Sequence, residues 1–147
     1  MIPPFNERGE LPPGIHVTTV REIKRVLGFN SVRRRMVGPL RRALRNLQEA
    51  GVLTVYVDGS FTSQKPLPND IDGCWDADEG VDVQALDPVF LDFNDRRWAM
   101  KTKYGVDFFI ADAVEGGSGM PFREFFQRNR DGLRKGLLVI DLRREEL

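Results

Sequence analysis

The apolar positions along the chain change their period several times, and those changes divide it into elements. Residues 1 to 14 hold Pro3, Pro4, Gly9, Pro12, Pro13 and Gly14 with no sustained period, which predicts an extended N-terminal arm. After Thr18-Thr19, either of which can cap a helix, Val20, Ile23 and Val26-Leu27 recur at helical spacing as far as Gly28. Ser31 is the expected cap of a second helix to about Ala50, in which Met36, Leu40, Leu44 and Leu47 are spaced by four, four and three. Pro39 lies inside this pattern and predicts a kink or break near Val37-Gly38.

Beyond Gly51 the period shortens. Val52 to Val57 is β-branched and aromatic and predicts a buried strand that runs into Asp58-Gly59-Ser60. A polar loop with Pro66 and Pro68 leads to a second strand from Asp70 to about Trp75. Leu86, Val89-Phe90, Phe93 and Trp98 suggest a helix from Ala85 to about Lys103. Val106 to Ala111 reads as a third strand, Pro121 to about Asn129 as a short helix, and Gly136 to Leu142 as a fourth strand. The expected fold is α+β: a small mixed sheet of about four strands with helices packed mainly on one face, in a single domain over residues 1–147.

Composition narrows the chemistry. No apolar run reaches the roughly 20 residues that span a bilayer, and the first residues lack a secretory layout, so no membrane partner and a cytoplasmic setting are expected. One Cys and one His exclude an internal disulfide and argue against a His/Cys zinc site. A metal would therefore be held by carboxylates, which favours Mg2+ or Mn2+.

The formal net charge is zero, with 22 basic and 22 acidic residues, yet the charges are segregated. Arg21 to Arg45 carries nine bases against one acid, whereas Asp70 to Asp112 carries eleven acids against four bases. Within the basic half, Arg34, Arg41, Arg42 and Arg45 share roughly one side of the second helix and form a candidate surface for RNA or an acidic partner protein.

Within the acidic half, Asp70 and Asp72 are two apart on a strand, so their carboxylates share a face about 6.5–7 Å apart along the chain while Ile71 enters the core. Two anions so placed repel one another unless a cation lies between them. Asp107 interrupts an otherwise apolar strand, where an ionised carboxylate is costly unless it is paired or bound to a metal. Gly59-Ser60, directly after a buried strand, offers backbone amides and a hydroxyl to phosphate oxygens, and Lys65 follows in the same loop. An EF-hand does not fit these acids, since no Glu stands at the twelfth position.

Val57-Asp58-Gly59-Ser60, nine intervening residues and then Asp70-Ile71-Asp72 resembles the signature of the DNA polymerase beta-like nucleotidyltransferase superfamily. The longer run Asp58-Gly59-Ser60-Phe61-Thr62 … Lys65-Pro66 … Pro68-Asn69-Asp70-Ile71-Asp72 is similar to an uncharacterised bacterial family of minimal-nucleotidyltransferase type. The resemblance implies that Asp70, Asp72 and Asp107 are catalytic and hold Mg2+ or Mn2+. It also implies that Gly59 and Ser60 bind the phosphates of a nucleoside triphosphate such as ATP, and Lys65, in the same loop, is a further candidate phosphate contact. The implied activity moves a nucleoside monophosphate to a hydroxyl of RNA (tRNA included), of a protein or of a small molecule, in some relatives as part of a toxin–antitoxin or defence system. The alternative is a binding or partner module of the same fold with little catalysis that uses the arginine-rich helix to bind RNA or an acidic protein; an oligomer is compatible with either. Asp58 stands where the superfamily carries an apolar residue, and Gly73 follows the acidic pair where a larger one is common. The stretch Thr62-Ser63-Gln64-Lys65 takes the place of an Arg-Gly pair found in minimal members.

Overall fold

A computed structural model describes all residues, 1–147. One open sheet of five strands has the order β1-β5-β2-β3-β4. The strands are β1 (Gly14–Thr18), β2 (Thr54–Asp58), β3 (Ile71–Trp75), β4 (Val106–Ile110) and β5 (Gly136–Asp141). β2 runs antiparallel to both β5 and β3, whereas β1 is parallel to β5 and β4 is parallel to β3. Four helices accompany the sheet: α1 (Val20–Leu27), α2 (Ser31–Glu49), α3 (Asn94–Tyr104) and α4 (Phe122–Phe125). The architecture is a mixed α/β one, consistent with the α+β class. No helix is long and apolar enough to cross a membrane.

The two-residue period of the strands sorts their side chains by face. Val55, Val57, Ile71, Trp75, Val106, Phe108, Leu138 and Ile140 join Ile23, Leu27, Leu40, Leu44 and Leu47 of α1 and α2 in one core. Met100 and Tyr104 bring α3 to the same side. Each such side chain contributes about 1.5–3 kcal/mol when fully buried, so this face holds most of the stabilising area. The opposite face carries a smaller cluster of Tyr56, Cys74, Ala111, Phe126 and Leu137, against which Phe109, Phe122 and Phe125 pack. The helices thus lie mainly on one side of the sheet, and the short α4 covers part of the other.

The sheet has five strands where four were expected. The additional strand, β1, is short, and its apolar residues Ile15 and Val17 are exposed, so no buried alternation marks it. The preceding residues are more than an arm, for Ile2 and Leu11 are buried and Glu10 bridges to Ser63. α2 is capped by Asn30, whose side chain accepts from the Arg33 amide, and not by Ser31. It continues through Pro39, because burial of Val37, Leu40 and Leu44 on either side outweighs the single backbone bond that proline removes. The helix expected from Ala85 to Lys103 is a short 3-10 turn, Pro88–Leu91, followed by α3. Asp95, Arg96 and Arg97 at the start of α3 adopt left-handed backbone angles, with φ of 50°, 56° and 61°. The helix expected from Pro121 to Asn129 is only the four residues of α4, and backbone turns continue the chain.

Candidate functional site

The register of the three central strands aligns their acidic residues. Asp58, the last residue of β2, is the cross-strand partner of Asp72 in β3, and Asp72 is the partner of Asp107 in β4. All three project from the face opposite α1 and α2, since their neighbours Val57, Ile71 and Val106 are fully buried in the main core. Asp70, two residues before Asp72, joins the row from the loop. Carboxylate oxygens of Asp70, Asp72 and Asp107 lie within 4.8 Å of one another. The structure therefore brings together the three acids that the sequence separates by up to 37 positions.

Gly59 meets this cluster at close range. Its φ is +80°, and a β-carbon there would lie 2.0 Å from Asp72 Oδ2. Only glycine lets the chain turn at this point while Asp72 remains alongside. The 3-10 turn Gly59–Thr62 that follows is tied down by its own hydroxyls: Thr62 Oγ1 donates to the Gly59 carbonyl at 3.1 Å and Ser63 Oγ to the Ser60 carbonyl at 2.7 Å. Beneath the turn lies Arg33, fully buried. Its guanidinium donates to the carbonyls of Leu27 at 2.6 Å, Lys65 at 2.7 Å and Ser63 at 3.1 Å, and also to that of Phe61. The rings of Phe29 and Phe61 lie 4.2 and 4.8 Å from its central carbon. Burial pulls its pKa down to about 10, well above neutrality, so it stays charged. The first arginine of the Arg33-Arg34-Arg35 run is thus a bracket for the loop that carries Gly59, Ser60 and Lys65.

Gly73 has a comparable explanation. A β-carbon there would lie 2.2 Å from the Tyr56 carbonyl oxygen and 3.0 Å from the Phe108 ring. The position has no room for the apolar side chain that commonly follows an acidic pair.

Cations stand at both ends of the acidic row. At the β4 end, Arg97 holds Asp107 with two bonds, Nε to Oδ1 at 2.8 Å and Nη2 to Oδ2 at 3.0 Å. Lys101 lies 3.6 Å from Asp107 and 3.9 Å from Asp70. At the β2 end, Lys135 pairs with Asp58 at 3.2 Å. Asp72, in the middle, makes no ion pair or side-chain hydrogen bond. Burial, with Asp70, Asp107 and Asp58 nearby, pushes its carboxyl up to about 7. Burial also raises Asp58, to about 6 against the pull of Lys135, and raises Asp70, aided by repulsion from Asp107. The donor set consists of carboxylate oxygens alone, which suits a hard divalent cation such as Mg2+ or Mn2+.

A cleft of ≈ 770 Å³ opens beside the row. Asp58, Asp72, Gly59, Ser60 and Lys65 form one wall, and Arg128, Arg130 and Lys135 belong to the other. The predicted phosphate-binding residues therefore border the same space as Asp72. The arginines of α2 are separate from it. Arg34 donates to the Gly28 carbonyl at 3.1 Å, Arg41 to that of Glu146 at 3.4 Å and Arg45 to that of Leu147 at 3.0 Å, while Arg42 is exposed without a partner. Among the aromatic residues, Tyr56, Trp75 and Tyr104 are buried and Trp98 is exposed. Arg97 and Lys135 escaped the sequence reading. Lys135 carried one usable signal, since it shares the parity of Leu137 and Val139 and so extends the acid-bearing face by one residue.

Residues 3–141 match a family of unknown function, DUF6932, and the chain belongs to that family. No curated protein and no solved structure matches it.

Proposed function

We propose that the protein is a metal-dependent nucleotidyltransferase with a nucleotidyltransferase fold, moving a nucleoside monophosphate from a nucleoside triphosphate to a hydroxyl. The observation that carries this reading is the convergence of Asp70, Asp72 and Asp107 within 4.8 Å, with Asp72 packed against Gly59 of a strand-Gly-Ser turn. Bound at these carboxylates, a divalent cation would supply charge to the triphosphate and acidify the acceptor hydroxyl. The amides after Gly59 and the Ser60 hydroxyl orient the phosphates, and Lys65 adds a cation at the rim of the cleft. The acceptor oxygen attacks the α-phosphorus, its proton passes to Asp107, and the bond to the leaving pyrophosphate breaks. Arg97 has to release at least one of its two bonds to Asp107 for that transfer. RNA, a protein or a small molecule is the acceptor class, and a role in a toxin–antitoxin or defence system belongs to the same reading.

A second reading draws on the same ion pair. With Arg97 and Lys101 already against Asp107, the chain would serve as a binding module with little catalysis, and the exposed arginines of α2 would contact RNA or an acidic protein. The readings separate on incubation of cell extract with α-phosphate-labelled nucleotides and Mg2+. The enzyme labels an acceptor, and Asp70→Ala and Asp107→Ala abolish the label. Labelling that persists in both variants sinks the catalytic assignment, and nucleotide binding without transfer favours the module.

A further inference from the structure

The wall of the cleft facing Gly59-Ser60 is formed by residues 128–136, a segment outside the acidic motif. Arg128 and Arg134 form an antiparallel bridge at its base, and the Lys135 amide donates to the Gln127 carbonyl at 2.9 Å. Asn129 Oδ1 accepts from the amides of Asp131 and Leu133 at 2.9 and 3.0 Å, so the loop is closed by its own bonds. Four cationic side chains border the cleft: Lys65, Arg128, Arg130 and Lys135. Lys135 is the only one of them paired with a carboxylate. Of the four bordering acids, Glu10 is paired with Arg8 at 3.0 Å and Asp58 with Lys135, whereas Asp72 and Asp131 have no ion pair.

Asp58 is an unusual partner. It is 2 % exposed, and its Oδ1 has no hydrogen-bond partner. A carboxylate this deep is costly, and one lysine returns only part of that cost. The geometric result of the pair is definite, however. The Lys135 side chain is 18 % exposed and is held at the floor of the cleft, next to the start of the Gly59 turn. A ligand for this space must satisfy the unpaired cations of one wall while its other end lies by the carboxylates of Asp72 and its neighbours. A single carboxylate or phosphate presents its charge at one point, whereas a chain of phosphates carries it along its length. The volume also lies in the roughly 300–1,000 Å³ range of small-molecule sites.

We propose that Lys135, Arg128 and Arg130 form a polyphosphate grip for the outer phosphates of a nucleoside triphosphate, with Asp58 as the positioning residue that fixes Lys135. This rests on the nucleotidyltransferase reading for the identity of the ligand but not for the existence of the grip. Asp58 is therefore explained at the position where the superfamily carries an apolar residue: it anchors the lysine that directly precedes β5.

The test is titration calorimetry of inorganic tripolyphosphate without divalent cations, using the full chain. Lys135→Ala should weaken binding about 10–100-fold, the equivalent of one lost charge-assisted contact. Arg130→Ala, at an exposed loop position that does not threaten folding, should weaken it several-fold, and Asp70→Asn should not weaken it. Asp58→Asn should weaken binding in the wild-type background and have no further effect beside Lys135→Ala, a coupling that general loosening of the fold would not produce. Unchanged affinity in both Lys135→Ala and Arg130→Ala overturns the proposal, as does an Asp58→Asn effect that persists without Lys135. A protein that grips tripolyphosphate in this way but never transfers a nucleotide retains the grip and loses the enzymatic reading. One that transfers nucleotide with Lys135→Ala and Arg130→Ala both silent does the reverse.

Discussion

The Asp72 carboxylate occupies the place where a β-carbon on Gly59 would have to stand, 2.0 Å from Oδ2. The turn that carries Gly59 and Ser60 and the strand that carries the acids therefore touch without an intervening side chain. Gly59→Ala combines this collision with a φ of +80° that alanine adopts poorly, and should cost about 1–3 kcal/mol. Thermal unfolding should show the loss. The stabilisation by Mg2+ expected of the wild type should shrink as well, because Asp72 has to move away from Asp70 and Asp107. An intact Mg2+ increment in the variant would disprove that packing role.

Asp72 sets a pH dependence. Its carboxyl is raised to about 7 from an unfolded value near 3.8, so the folded state binds more protons than the unfolded state between these limits. Its contribution to stability is fully present below about pH 4 and is lost as pH rises through 7. Asp58, raised to about 6, acts in the same direction. In chelator-treated protein, Asp72→Asn should raise stability at pH 8 by on the order of 4 kcal/mol and have little effect near pH 4, where both states carry the proton, since one pKa unit corresponds to about 1.4 kcal/mol. Urea melts at the two pH values measure the difference. Equal gains at both would show that Asp72 is not the group responsible.

Arg97 is the counter-ion of Asp107 in this arrangement. Arg97→Ala removes two charge-assisted bonds and leaves Lys101 as the remaining cation at that carboxylate. The variant should be less stable without metal and should gain more from added Mg2+ than the wild type does. Melting temperatures with and without 10 or so equivalents of Mg2+ read this as a larger increment. A smaller increment would mean that Arg97 supports metal binding and does not compete with it.

Arg33 has a structural task that its neighbours in the basic run do not share. Arg33→Met keeps much of the stem but leaves four backbone carbonyls without their buried donor, at a cost of about 2–4 kcal/mol. Arg42→Ala, at an exposed and unpartnered position, should change stability by less than about 0.5 kcal/mol. Denaturant titration of the two variants distinguishes the bracket from the surface stripe.

The most legible elements carried a strong local signal. The helical spacing from Val20 to Leu27 and the β-branched run before Asp58 appear as α1 and β2. The acids separated by one residue, and the lone acid in an apolar strand, lie together in space. What stayed hidden depends on tertiary contacts. β1 turns Ile15 and Val17 to solvent, so its pairing with β5 leaves no alternation to read. The left-handed stretch at Asp95–Arg97 runs against the preference of ordinary residues, and local propensity predicts a continuous helix there. Arg33 resembled its exposed neighbours because a buried cation is recognised only by the carbonyls around it. Lys135 pairs with a residue 77 positions earlier, and only the order of strands brings them together.

The fixed charges along the sheet end have a consequence for the order in which ligands arrive. Asp58, Asp70, Asp72 and Asp107 face Lys135, Arg97 and Lys101, so the row as built is short of neutrality by a single positive charge. One divalent ion entering alone overshoots that balance, and a triphosphate entering alone deepens the deficit. Entering with the triphosphate, the ion offsets part of the negative charge that the phosphates add. Under the proposed reading the two ligands are linked, and each should raise the affinity of the site for the other by the same factor.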